Sequence, residues 1–248
     1  MKQSIQVISI LIIILALLVC ILLSPPISAR AEIAENESVS AKYIKANVKL
    51  NVRTAPSSSA PIVGSVLQND LLQYVNEKDG WIQTTYRGKT AYVSGNAKYT
   101  TTIELKKQSH KVEKAITSAE QMAGSAYVYG ATRLHDGNGN LNSKFSNARF
   151  DCSSFTQYAF HSIGVNLKGT TREQSLQGKF VKNGEIKRGD LLFFTNSERA
   201  KLKGINRIGH VGIYLGDNYI VHSSSKVARI EQISSNRWGN FITARRVA

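Results

Sequence analysis

The spacing of hydrophobic residues changes three times along the chain. Residues 5–23 are an almost unbroken apolar run. From Tyr43 onward the apolar residues alternate or come in short pieces: Val48, Leu50 and Val52, then Ile62-Val63, Leu71-Leu72, Tyr74-Val75, Trp81-Ile82 and Tyr92-Val93. Alternation marks strands with one buried face. Asp79-Gly80 and Arg87-Gly88 punctuate these pieces and predict tight hairpin turns. The reading is a small all-β barrel of about sixty residues, over 42–98.

Beyond residue 111 the period lengthens. Ala115, Ile116, Ala119 and Met122 share one helical face and predict a helix over about 112–122. Phe155, Tyr158, Ala159 and Ile163 predict a second, which Asp151 caps and Gly164 ends. Thr171-Arg172-Glu173-Gln174 has the form of a capping box opening a short helix. Leu191–Phe194 is a continuous apolar strand. Gly209–Leu215 is another, Gly216-Asp217-Asn218 turns the chain, Tyr219–His222 returns, and Trp238–Val247 reads as the last strand. The fold class is α+β. Residues 112–248 form its second domain, and the polar stretches 32–41 and 99–111 read as linkers.

The N-terminal run follows Lys2 and precedes Pro25-Pro26 and Ala29-Arg30-Ala31, the small-x-small form of a signal-peptidase site. Cleavage is expected after Ala31, making 1–31 a signal peptide and the protein secreted. Left uncleaved, the run is long enough to span a bilayer, and only then is the membrane a partner. Cys20 lies inside it behind Leu17, Leu18 and Val19, bulky neighbours that argue against lipid modification. The net charge of +15, +13 once Lys2 and Arg30 are removed, calls for an anionic partner. Export excludes cytosolic nucleic acid and leaves acidic wall polymers. The basic stretch 198–207 reads as a solvated surface loop.

Cys152 is then the lone cysteine of the exported chain, with no partner for an internal disulfide. It is either a small buried hydrophobe or a reactive group. At a capped helix start, unpaired N–H groups and the helix dipole favour its thiolate. Asp136-Gly137-Asn138-Gly139-Asn140 mimics the opening of a calcium loop, but Asn147 stands where the closing carboxylate belongs, so the segment reads as a turn. No metal or cofactor is expected. His110, His135 and His161 read as structural or solvated.

Asp151-Cys152-Ser153-Ser154-Phe155, Gly209-His210-Val211-Gly212-Ile213-Tyr214 and His222 together resemble the signature of the NlpC/P60 peptidases. Tyr127-Val128-Tyr129-Gly130 upstream and Gly189-Asp190-Leu191-Leu192-Phe193-Phe194 downstream fit the same order. Ser154 and Ala131 depart from it, each standing where glycine is usual. Leu50-Asn51-Val52-Arg53-Thr54-Ala55-Pro56, Gly80-Trp81 and Gly88–Val93 resemble a bacterial SH3 domain. That resemblance implies a wall-binding module, although Trp81 and Tyr92 equally suit a barrel core. The first resemblance implies a papain-like cysteine peptidase with helices packed on an antiparallel sheet, acting on peptidoglycan stem peptides. The bond it implies is γ-D-glutamyl to a diamino acid. Cys152 would be the nucleophile, His210 the base and His222 its orienting partner. Tyr127 would stand beside the thiol, with Asp151 and Ser153 meeting substrate. Two other readings are an N-acetylmuramoyl-L-alanine amidase of related fold and a non-enzymatic wall-binding protein.

The histidines carry a geometric condition of their own. They share a face of the hairpin only if paired residue numbers sum to an even number. A three-residue or bulged turn gives a sum of 434 and sets Gly212 against His222 with His210 diagonal to it. A plain two-residue turn separates the rings.

Overall fold

Apolar alternation becomes strand pairing from Ser40 onward. The computed structural model describes residues 39–248. The expected signal peptide and residues 32–38 of the expected linker lie outside them, and residues 40–41 of that linker belong to the first strand. Eight strands come first: β1 (Ser40–Ala46), β2 (Leu50–Arg53), β3 (Ile62–Val66), β4 (Leu71–Gln73), β5 (Asn76–Lys78), β6 (Trp81–Tyr86), β7 (Lys89–Ser94) and β8 (Thr100–Lys106). One wall runs β3-β2-β7-β6-β5, and β4, β1 and β8 form the other. Asp79, Gly80, Arg87 and Gly88 all take positive φ between the pairs Lys78↔Trp81 and Tyr86↔Lys89. These are two-residue hairpins whose twist matches that of the strands, as the dipeptides predict. Val52, Ile82, Ala91 and Val93 fill the interior.

The second part contains α1 (His110–Glu120), β9 (Ala126–Tyr127), β10 (Arg149–Phe150), α2 (Cys152–His161), α3 (Thr171–Gln174), β11 (Lys179–Val181), β12 (Leu191–Phe194), β13 (His210–Gly216), β14 (Tyr219–Ser224), β15 (Val227–Gln232), α4 (Ser235–Gly239) and β16 (Phe241–Arg246). Its antiparallel sheet runs β11-β16-β12-β13-β14-β15. Ile116 and Ala119 of α1 and Phe155 and Ala159 of α2 share a buried core with Val211, Ile213 and Val221 of the sheet. The opposite face of the sheet buries Leu192, Phe194 and Ile220 under Trp238 and Phe241.

Three local expectations are corrected. Residues 100–106 are a strand, not part of a polar connection. They pair along the whole of β1, with only Thr100 and Leu105 buried, so mixed Thr and Lys positions blur the alternation. The box that opens α3 is Thr170 with Glu173, one residue earlier than expected. Trp238 lies in α4, not in the last strand, because Ser234 caps a helical turn there by accepting from the Arg237 N–H.

Nor does the barrel end where the second part begins. β15 bridges β4 at Ile230↔Leu71, so the sheet continues into β4-β1-β8. Tyr43, Leu71 and Leu105 of the barrel belong to the same buried core as α1 and α2. Residues 40–248 are one compact unit.

Candidate active site

Cys152 is the first residue of α2. Asp151 caps the helix, its carboxylate accepting the Ser154 N–H at 2.8 Å. Ser154 Oγ accepts the Asp151 N–H at 2.9 Å, completing a reciprocal box. The serine that replaces glycine in the signature therefore stiffens the start of this helix. The sulfur is nearly buried, with the residue 7% exposed, and the Val211 and Ser153 backbone N–H groups favour its charged form. The expected bias toward thiolate is not what results. Burial pushes the Cys152 thiol up to about 11, and the Asp151 charge adds to it, outweighing those two N–H groups and Arg133.

The hairpin meets the parity condition. Ile213 pairs with Val221 and Tyr214 with Ile220, both sums being 434, and a bulge at Leu215 lets Gly216 pair with Tyr219. Asp217 and Asn218 form a two-residue turn at positive φ. The bulge restores the parity that such a turn alone would break. His210 Nε2 consequently lies 2.8 Å from His222 Nδ1. A Cβ on Gly212 would come within 3.0 Å of His222 Cβ and 2.5 Å of Ile220 Cδ1, so a larger residue there would push on both side chains. Burial holds both imidazoles below their ordinary value. His222 and Arg237 depress His210 further. On its far side His222 Nε2 is 3.1 Å from Glu231 Oε1. Burial would raise the Glu231 carboxyl, but His222, Arg237 and Arg229 together hold it at about 2.

Tyr127 lies near enough to Cys152 to feel its charge. Burial, then the charges of Cys152 and Asp151, push its phenol up to about 12, so it stays a hydrogen-bond donor. Asp151 and Ser153, expected to meet substrate, are engaged within the protein. Asp151 Oδ2 pairs with Arg133 Nη1 at 2.9 Å. Ser153 Oγ donates to the Gly169 carbonyl at 3.2 Å and accepts from Arg133 Nη2 at 3.1 Å. Sequence reasoning missed Arg133 and Glu231. Neither falls in a motif, and each acts across a fold contact rather than along a helix face. In the loop that mimics a calcium site, the Asp136 carboxylate accepts from the Asn138 and Asn140 backbone N–H groups, and the Lys168 ammonium donates to Asn138 Oδ1 at 3.0 Å. Among the described residues no cluster of His, Cys, Asp and Glu suits a metal.

His210 and His222 are thus bonded to one another, and the Val211 amide that follows His210 favours the Cys152 thiolate. The sequence model described as the NlpC/P60 family matches residues 124–247, half of the chain. The chain belongs to the NlpC/P60 family. A bacterial SH3 domain model matches residues 48–100. Among curated relatives, the peptidoglycan DL-endopeptidase CwlO of Bacillus licheniformis is 30% identical over 168 residues, covering 66% of this chain and 34% of its own. The probable endopeptidase YafL of Escherichia coli is 33% identical over 141 residues, covering 54% of this chain and 49% of its own. A crystal structure of an NlpC/P60 family protein from Bacillus cereus aligns with a TM-score of 0.46 at 21% identity, over 88% of this chain and 66% of that one. The chain spans between 20% and 49% of the length of the curated NlpC/P60 relatives it matches.

Proposed function

We propose that this chain is a cysteine endopeptidase of peptidoglycan, cleaving stem peptides at the γ-D-glutamyl–diamino acid bond through Cys152, His210 and His222. The observation that carries the reading is the His210 Nε2–His222 Nδ1 pair at 2.8 Å, together with a Val211 N–H, next in sequence to His210, that favours the Cys152 thiolate. Thiol and imidazole are both neutral at rest, since burial raises one pKa and lowers the other. The proton therefore leaves Sγ for His210 as the sulfur attacks the scissile carbonyl. The Cys152 backbone N–H, at the open first turn of α2, and the Tyr127 hydroxyl stabilise the oxyanion. His210 then protonates the leaving amine, and afterwards takes a proton from the water that hydrolyses the thioester. Asp151, Ser153 and Arg133 hold the helix start in place.

The protein acts outside the cytoplasm, on the wall, and its excess of Lys and Arg suits acidic wall polymers as a second partner. Digesting defined muropeptides and weighing the products tests the bond. Fragments ending in γ-D-glutamate, with the diamino acid newly free at its amine, are expected. Release of intact stem peptide from the sugar would identify an amidase instead. No fragment at all would favour a wall-binding role.

A further inference from the structure

The His210–His222 pair leaves one choice open that the active site must settle. A neutral imidazole carries one N–H and one bare nitrogen. His210 Nε2 and His222 Nδ1 face one another at 2.8 Å, so one donates and the other accepts. If His222 held its proton at Nδ1, His210 Nε2 would be bare and Nδ1 of His210 would carry the proton. The base would then have nothing with which to accept from a thiol. In the opposite arrangement His210 donates from Nε2, and its Nδ1 is bare.

What stands on the far side of His222 decides between them. Nε2 is fully buried, 3.1 Å from Glu231 Oε1 along a bent line, and no other partner reaches it among the described residues. A bare Nε2 there would set two acceptors against each other in a buried place, whereas an Nε2–H meets an anion. Glu231 opposes Ile220 in the β14–β15 ladder, two residues along the same face from His222. Its carboxylate is fixed from both sides, 2.7 Å from Arg237 Nη2 on α4 and 3.2 Å from Arg229 Nε on β15. Arg229 is fixed in turn by Asp70, just before β4 of the barrel, at 2.6 Å. These groups and His210 are the charged and titratable neighbours of His222 from every element packed around it.

We propose that Glu231 is a positioning residue for the hydrolytic site, selecting the Nε2–H tautomer of His222 and through it the Nε2–H tautomer of His210, so that His210 Nδ1 is bare to take the thiol proton. The inference rests on the reading of Cys152 as nucleophile and His210 as base. Glu231 also balances Arg229 and Arg237 when His210 becomes an imidazolium. Glu231→Gln keeps the shape and removes the charge. Turnover number should fall about ten- to a hundred-fold with little change in KM, the scale on which a carboxylate behind a metal-bound imidazole acts. With the anion gone and both guanidiniums left, the imidazolium is less stable, so the acid limb of kcat/KM should move to lower pH.

A measurement on the unaltered protein stands apart from turnover and from the folding of any variant. Nitrogen-15 spectra of the intact chain near neutral pH should show both histidines neutral and protonated at Nε2. A His222 protonated at Nδ1 would overturn the proposal. So would a folded Glu231→Gln protein with unchanged kcat and pH profile while Cys152→Ala is inactive. An intact chain that cleaves no muropeptide would instead remove the functional reading, and the spectra would still report the tautomers.

Discussion

Cys152→Ala loses muropeptide turnover by at least about 10^4-fold, the scale on which removing a nucleophile from a mutually dependent catalytic set acts. Nothing else in the site can replace the sulfur. It is the one cysteine among the described residues. Ser153, the nearest hydroxyl in sequence, is occupied by Gly169 and Arg133. The fold should be nearly untouched. Exchanging a buried thiol for a methyl leaves the cap, the box and the aromatic contacts of Phe155 in place, at a cost of about 1 kcal/mol. A second substitution, His210→Ala, on top of Cys152→Ala should add almost nothing, because the base has no role without the thiol. Turnover retained in the single variant, measured by mass analysis of products, would remove Cys152 from the mechanism. A large additional loss in the double variant would show that His210 acts independently of it.

Arg188→Ala destabilises the protein by about 3–5 kcal/mol, as removal of one member of a buried ionic network does. Arg188 is almost wholly buried. Its Nε and Nη2 each bond a Glu113 oxygen at 2.8 Å, Nη1 donates to the Leu215 carbonyl at 2.9 Å, and Nη2 donates to Tyr43 Oη at 2.7 Å. Tyr43 donates onward to Glu120 Oε1, itself 3.9 Å from Arg188 Nη2. One guanidinium thus joins β1 of the barrel, α1 and the end of β13. For a chain of this size the loss corresponds to a fall in Tm of about 6–20 °C. Its pH dependence follows from Glu120, whose carboxyl burial raises to about 7. A carboxyl raised by folding stabilises the protein at low pH, and that stability is lost as pH rises through the folded value. Without Arg188 the Glu120 carboxylate has lost its cation, so the deficit should be larger at pH 8 than at pH 5. Calorimetry at both values checks the size and the trend, and a deficit that grows on acidification would contradict this account of the network.

Some features set by residues close together in sequence were legible from it, although the box opening α3 and the helical turn at Trp238 were not. Asp151 before an apolar helix gave the cap, and the dipeptides Asp79-Gly80 and Arg87-Gly88 gave hairpins, because each depends on backbone preferences within four residues. The histidine pairing was legible only as a condition, with the residues named by the resemblance and the shared face depending on the parity of the turn. It needs only that the face be shared, whichever turn does it, and the bulge at Leu215 supplies what the two-residue turn lacks. Contacts set by packing were not legible. β8 is recognisable as a strand only once β1 lies beside it. Arg133 reaches Asp151 across eighteen residues and Glu231 reaches His222 across a hairpin, with no spacing that points to either. The thiol's ionisation ran opposite to the helix-dipole expectation for the same reason. Burial and the Asp151 charge are properties of the packed site, and they outweigh the helix start.

The thioester on Cys152 is the species on which the account stands, and intact-protein mass spectrometry after rapid acid quench of a muropeptide reaction looks for it directly. The expected result is a protein heavier by the acyl part of the substrate, with the added mass on the peptide containing Cys152, absent from Cys152→Ala and decaying as product accumulates. Cleavage that proceeds with the protein mass unchanged at every quench time, or an adduct on any other residue, would contradict it.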